Sequence, residues 1–172
     1  MSTATVSPPE ATSTGTTQVI NPKLIIPFVN SVRNVFMTMV KVKTEVCRPI
    51  VKGEPTPSYD VSSIIGFSGD VIGSVVVSFQ LSAAEKLVAS FAGMHIPASS
   101  PDFADALGEL ANMIAGSAKK DLGCVCSIST PSVIMGGGHT IARLRDVPCL
   151  VIPCKTEVGD FAVEVSIKQI NR

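Results

Sequence analysis

Aromatic side chains are scarce in this sequence: no tryptophan, one tyrosine and seven phenylalanines among 172 residues. Little is left from which to build the stacking platforms that hold single-stranded nucleic acid. Cationic excess is missing too, since Lys+Arg and Asp+Glu each number 14 and the formal net charge is zero. Binding driven by phosphate needs clustered surplus Lys and Arg. The basic residues run together only at Lys119–Lys120, with Lys41, Lys43 and Arg48 scattered. A nucleic-acid partner is therefore not expected. No apolar stretch approaches the roughly 20 residues that a membrane-spanning helix needs. Residues 1–20 lack the basic start and apolar middle of a secretory signal. A cytoplasmic protein without membrane insertion is expected.

Conventional catalytic equipment is equally thin. There are two histidines, His95 and His139, both in segments read as loops, and no Gly-x-Ser-x-Gly element to pair with them. The three glycines before His139 read as a flexible loop, without the Lys and Ser/Thr of a phosphate-binding P-loop. The five cysteines, Cys47, Cys124, Cys126, Cys149 and Cys154, form no CxxC pair and offer no zinc-ligand spacing. Cys124 and Cys126 flank Val125 on an extended segment and are expected to send their thiols to opposite faces. Reduced, mostly buried cysteines of a cytosolic protein are the expectation. No metal and no cofactor of the chain's own is called for.

What the chain has is core: 45% hydrophobic residues against 16% charged, enough for one domain. Residues 1–20, rich in Thr, Ser and Pro, read as a disordered tail, and 21–172 as a single domain. Asn21-Pro22 suits a helix start. Ile25, Phe28, Val29, Val32, Phe36 and Met39 then recur at helical spacing from Lys23 to Val42, with Pro27 predicting a kink or a later start. Thr44–Val51 reads as one strand and Lys52–Tyr59 as a loop. Val61–Phe67 and Val71–Phe79 form a hairpin across Ser68-Gly69-Asp70. Ser82 with Glu85 resembles a capping box for a second helix that ends near Gly93. A third helix spans Asp102 to Leu122 with Asp102 as its cap. Strands follow at Val125–Thr130, Ser132–Met135, Cys149–Lys155 and Phe161–Lys168. The two halves share a helix-then-strands order, which suggests a pseudo-duplicated α/β (α+β) fold: one antiparallel or mixed sheet with helices on one face.

The third helix is the most informative stretch. At about 100° per residue, Phe103, Leu107, Leu110, Ala111, Ile114 and Ala118 fill one half of the wheel. Asp105, Glu109 and Asn112 follow at i, i+4 and i+7 within a wedge of about 60°, with Gly116 behind them. Asn is a poor mid-helix residue, and Gly108 and Gly116 weaken the helix further. Met113 adds an apolar contact at the edge of this face. Those choices describe a docking surface better than a merely solvated one.

These residues resemble a known signature. ELANMIAGSAKK, preceded by Asp105, looks like the motif of the CheC/CheX/FliY phosphatases of bacterial chemotaxis, in which an acid, a Glu-x-x-Asn pair and a downstream proline recur. Asp105, Glu109 and Asn112 take the leading positions and Pro131 is the candidate proline. The first helix carries Asn30 and Asn34 with no glutamate three residues before either. The chain is therefore similar to CheX rather than to the two-site CheC, and one active face is expected. The resemblance implies a CheC-like fold and hydrolysis of the aspartyl phosphate on a CheY-like response regulator. The regulator brings its own acids, Lys and Mg²⁺. Asn112 would place the attacking water, Glu109 would dock the regulator, and Asp105, Gly108, Met113 and Gly116 would contact it. The family implies a homodimer as well. A non-enzymatic signalling or flagellar-switch adaptor of the same fold is the competing reading, and a thiol-based redox protein a remote third.

Overall fold

The structure is a computed structural model that describes residues 21–53 and 59–170. The expected tail, 1–20, and part of the expected 52–59 loop lie outside the described residues. The elements in order are α1 (Pro22–Val35), a π-turn (Phe36–Val40), β1 (Thr44–Val46), β2 (Ile50–Val51), β3 (Val61–Gly69), β4 (Val71–Phe79), α2 (Leu81–Ala92), α3 (Pro101–Asp121), β5 (Cys126–Ile128), β6 (Ser132–Met135), β7 (Leu150–Thr156) and β8 (Phe161–Gln169). All the described strand pairs are antiparallel, in the order β1-β7-β8-β4-β3-β5, with β2 continuing beside β7 and β6 beside β3.

The period-2 pattern decides which side of the sheet is covered. Register puts Val61, Ile65 and Phe67 on one face with Val75, Val77, Phe79, Phe161, Val163 and Val165. All are buried in one core with Phe28, Val32 and Phe36 of the first helical segment and Phe103, Leu107, Leu110 and Ile114 of α3. Phe161 stacks between Phe36 at 4.4 Å and Phe79 at 5.3 Å, and Phe28 meets Phe67 edge-on at 5.6 Å. Helices thus cover one face, as the alternation predicted.

Several local expectations are corrected. The expected Asn21-Pro22 start holds, with Asn21 Oδ1 accepting from Lys23 N at 3.1 Å, but Pro27 does not delay the helix: α1 begins at Pro22 and carries Pro27 buried inside it. Its last turn widens into the π-turn instead of continuing as α-helix to Val42. Thr44–Val51 is two short strands, β1 and β2, which meet opposite ends of β7. The Ser82/Glu85 capping box does not form: α2 starts at Leu81, whose N–H donates to Asp60 Oδ2 at 2.9 Å. A carboxylate delivered by the sheet captures the first orphan N–H, so no local cap is required. α3 begins one residue earlier than read, with Ser100 as cap, its Oγ accepting from Asp102 N at 3.3 Å, and Pro101 in the first turn.

The suggested duplication is visible in the topology. Exchanging β1/β2 with β5/β6, β3 with β7 and β4 with β8 maps the strand order onto its own reverse. Each half lends its two short strands to the other half's hairpin. Thr44 matches Cys126 and Ile50 matches Ser132 at one constant offset. The buried helix positions Phe28, Ser31 and Val32 match Ala111, Ile114 and Ala115 at an offset one residue larger. The π-turn absorbs that extra residue.

The opposite face of the sheet is unusually polar. Ser62, Ser78, Glu164 and Ser166 are all buried there, beneath a strap formed by residues 136–149. His139, expected in a flexible loop, is tied down instead: one ring nitrogen lies 2.8 Å from Ser62 Oγ and the other 2.6 Å from Gly136 O. Glu164 receives Lys52 Nζ at 2.6 Å on one oxygen and the Arg143 guanidinium on the other. Both histidine nitrogens are spent on packing the strap.

Candidate functional site

Helix α3 displays the site residues on its outer side. Phe103, Leu107, Leu110, Ala111, Ile114 and Ala118 anchor it in the core. From α1, the buried Ser31 hydroxyl donates to Ile114 O at 2.6 Å and fixes the crossing just beyond Asn112. With the helix held from behind, Asp105 and Glu109 are exposed and Asn112 and Met113 half-buried. Asn112 Nδ2 donates to Glu109 Oε2 at 3.4 Å, a long contact across one turn. This leaves the amide oxygen and one N–H free to face a visitor. Asp105 lies one turn before Glu109, and Gly116 one turn after Asn112, on the same side.

The two glycines differ in use. A Cβ at Gly108 would come within 3.1 Å of Pro131 Cγ and 3.7 Å of Val133 Cγ2, so the chain itself occupies the space beside the helix backbone. A Cβ at Gly116 would meet nothing within 4 Å, so that stretch of the face is open. The sequence singled out Pro131; its contact with Gly108 is tertiary and had no local signal. Gly116→Ala should therefore stabilise the protein by about 0.5–1 kcal/mol through helix propensity. In Gly108→Ala the same gain is opposed by about 1–3 kcal/mol of overpacking. Urea midpoints that moved upward equally in both variants would show that the Pro131 contact yields freely.

On the related face of α1, the offset that aligns the helices puts Ile26 opposite Glu109 and Val29 opposite Asn112. Ile26 is 54% exposed. The duplicated face therefore carries no acid–amide pair. Elsewhere the described residues contain no group of three or more His, Cys, Asp or Glu able to hold a metal ion. The chemistry on offer is an exposed carboxylate, an amide that can orient a water, and a surface to dock on.

The cysteines are all free thiols. Their expected arrangement at Cys124 and Cys126 is overturned, because residues two apart on an extended chain share a face. β5 begins only at Cys126. Burial foremost, and then the neighbouring Cys124 thiol, push the Cys126 thiol up from its ordinary value. Burial likewise raises Cys149, and lifts Cys154 to about 12. Such thiols remain protonated at neutral pH and are poor nucleophiles. A short iodoacetamide pulse on the folded protein near pH 7.5 should mark the half-buried Cys47 and Cys124 and spare Cys126, Cys149 and Cys154. Modification of Cys154 at the rate of Cys47, read by mass spectrometry, would contradict that burial.

Known proteins share this fold. Residues 61–155, which include β3, β4, α2, α3 and nearly all of β7, match the family model described as chemotaxis phosphatase CheX. Chemotaxis protein CheX from Desulfovibrio desulfuricans is 36% identical, with 86% of this chain and 99% of that one aligned at a TM-score of 0.77. CheX from Vibrio vulnificus is 27% identical over 85% of this chain and 99% of that one, TM-score 0.78. A fold match at 24% identity, covering 85% of this chain and 98% of that one with TM-score 0.72, is CheX of Borrelia burgdorferi, solved in a complex with CheY, BeF₃ and Mg²⁺. Among curated proteins, none matches the sequence.

Proposed function

Since the chain belongs to the CheX family of chemotaxis phosphatases, we propose that it hydrolyses the aspartyl phosphate of a CheY-like response regulator through the α3 face. The observation that carries this reading is the Glu109–Asn112 pair, presented to solvent on a helix clamped from behind. An acyl phosphate is already activated, and the regulator contributes its own acids, lysine and Mg²⁺. That the Borrelia protein of this fold was solved in a complex with CheY, BeF₃ and Mg²⁺ supports a CheY-like partner.

In the proposed step, water attacks phosphorus in line with the regulator's carboxylate. The P–O bond to that carboxylate breaks, inorganic phosphate leaves with the water's oxygen, and the surplus proton passes to phosphate or solvent. Asn112 accepts from and donates to the water, holding it on that line; the gain is positional and needs no general base. Glu109 pairs with the regulator's lysine and sets the depth of insertion. Asp105, Met113 and Gly116 make up the contact surface, with Gly116 the place where a partner's backbone can come closest; Gly108, expected to share that role, is buried against Pro131 and drops out of it.

The protein is proposed to work in the cytoplasm as a single domain, 21–172, and as a homodimer. Ile50 and Val51 of the outlying β2, 56% and 59% exposed, are the kind of uncovered edge that a second chain would bury. The decisive test is the lifetime of a phosphorylated regulator with and without this protein. A shortened lifetime supports the phosphatase. Binding with an unchanged lifetime would leave the non-enzymatic adaptor as the better account.

A further inference from the structure

The π-turn after α1 builds a second surface that the α3 face does not use. Arg33, Met37, Lys41, Val42, Lys43 and Thr44 line a surface cavity of about 490 Å³. Three of the six are cations and none is an acid. Among the described residues, none of the three cations forms an ion pair. The nearest acid in sequence, Glu45, alternates to the other side of β1 from Thr44. Met37, 71% exposed, stands among these charges.

Backbone conformation supplies an independent observation. Lys41 is left-handed, with φ 58°, and closes the π-turn through its N–H to Phe36 O at 2.8 Å. Under the internal symmetry its counterpart is Gly123, left-handed at φ 65° and likewise three residues before a strand. One half thus uses glycine, the residue without a Cβ penalty, where the other keeps lysine. A strained position occupied by a charged side chain points to a use for that side chain. The turn itself is pinned, since Ser90 Oγ on α2 donates to Val40 O at 2.7 Å, so Lys41 is held beside Arg33 and Lys43.

We propose that this groove docks an acidic segment of a partner protein, one apolar side chain seated against Met37 and flanking Asp or Glu meeting Arg33, Lys41 and Lys43. Three cations round one open hollow of this size suit a short peptide. A nucleic acid would want aromatic platforms and a longer basic track, and a bilayer would want a convex apolar face.

The test uses the full-length protein and a fluorescein-labelled decapeptide with a central Leu flanked by Glu, followed by anisotropy. Saturable binding should weaken about tenfold between low and roughly 0.3 M salt. Lys41→Gly should bind about fivefold more weakly, as should the double variant Arg33→Ala/Lys43→Ala. Because glycine suits the left-handed site, Lys41→Gly should keep or raise the melting temperature and leave regulator dephosphorylation unchanged. That separates this inference from the α3 reading. Absence of peptide binding, equal binding by Lys41→Gly, or charge-dependent capture of phosphatidylserine vesicles in place of the peptide would each overturn it.

Discussion

Asn112→Ala should lower regulator dephosphorylation by about 10²-fold, the scale on which losing alignment of a reacting group acts. That factor corresponds to about 2.7 kcal/mol of transition-state stabilisation. The side chain is half-buried on the outer face of α3 and its one recorded hydrogen bond is the long contact to Glu109. Its removal therefore leaves no buried group unpaired, and the fold should be unaffected. Alanine is the better helix former, so stability should hold or rise slightly. Glu109→Ala should act differently, weakening docking as well as turnover. Asn112→Gln keeps the amide but moves it by one methylene, and should recover only part of the activity. The check is a time course of phosphoryl loss from the regulator over a range of this protein's concentration. A near-normal saturating rate for Asn112→Ala, with an unchanged circular dichroism spectrum, would remove Asn112 from the mechanism.

Glu164→Ala should cost about 3–5 kcal/mol, the range for breaking a buried ion pair by deleting one partner. Lys52 and Arg143 both converge on this one carboxylate, and the three side chains are 9%, 15% and 6% exposed for Lys52, Arg143 and Glu164. Deletion leaves two cations facing each other with no counter-charge. Against a typical total stability of about 5–15 kcal/mol that is a large fraction. Lys52→Met should be far milder. Burial first, and then Arg143, already press the Lys52 ammonium below its ordinary value, and its loss leaves a one-to-one Arg143–Glu164 pair. Urea denaturation distinguishes the two variants. Equal, small losses would mean that water reaches the cluster and that the strap is not latched there.

Much of this was legible in the residues. The i, i+4, i+7 stripe on α3 and the hairpin around Gly69 rest on periodicities that any folded context must respect. Gly93, left-handed at φ 72°, ends α2 as its sequence position suggested. The same local logic failed where a distant residue offered something better. Asp60 displaced the Ser82 cap, being 21 residues away in the chain but beside Leu81 in space. Glu164, an acid within the apolar run FAVEVSI, was the one sequence hint of a charged back face. Its partners Lys52 and Arg143 lie 112 and 21 residues away, too far for any window to join them.

The α3 face remains the clearest division between the two levels. Sequence alone determined that Asp105, Glu109 and Asn112 share one side of a helix, because a 3.6-residue repeat leaves no other arrangement. Only tertiary structure decided that Pro131 fills the notch at Gly108 while Gly116 stays open, and that the related face of α1 presents Ile26 and Val29. It also decided that each half's short strands complete the other half's sheet. Helix periodicity is a property of neighbours along the chain, whereas notches, exchanged strands and shared carboxylates come from burial, which brings together residues whose separation in sequence carries no signal.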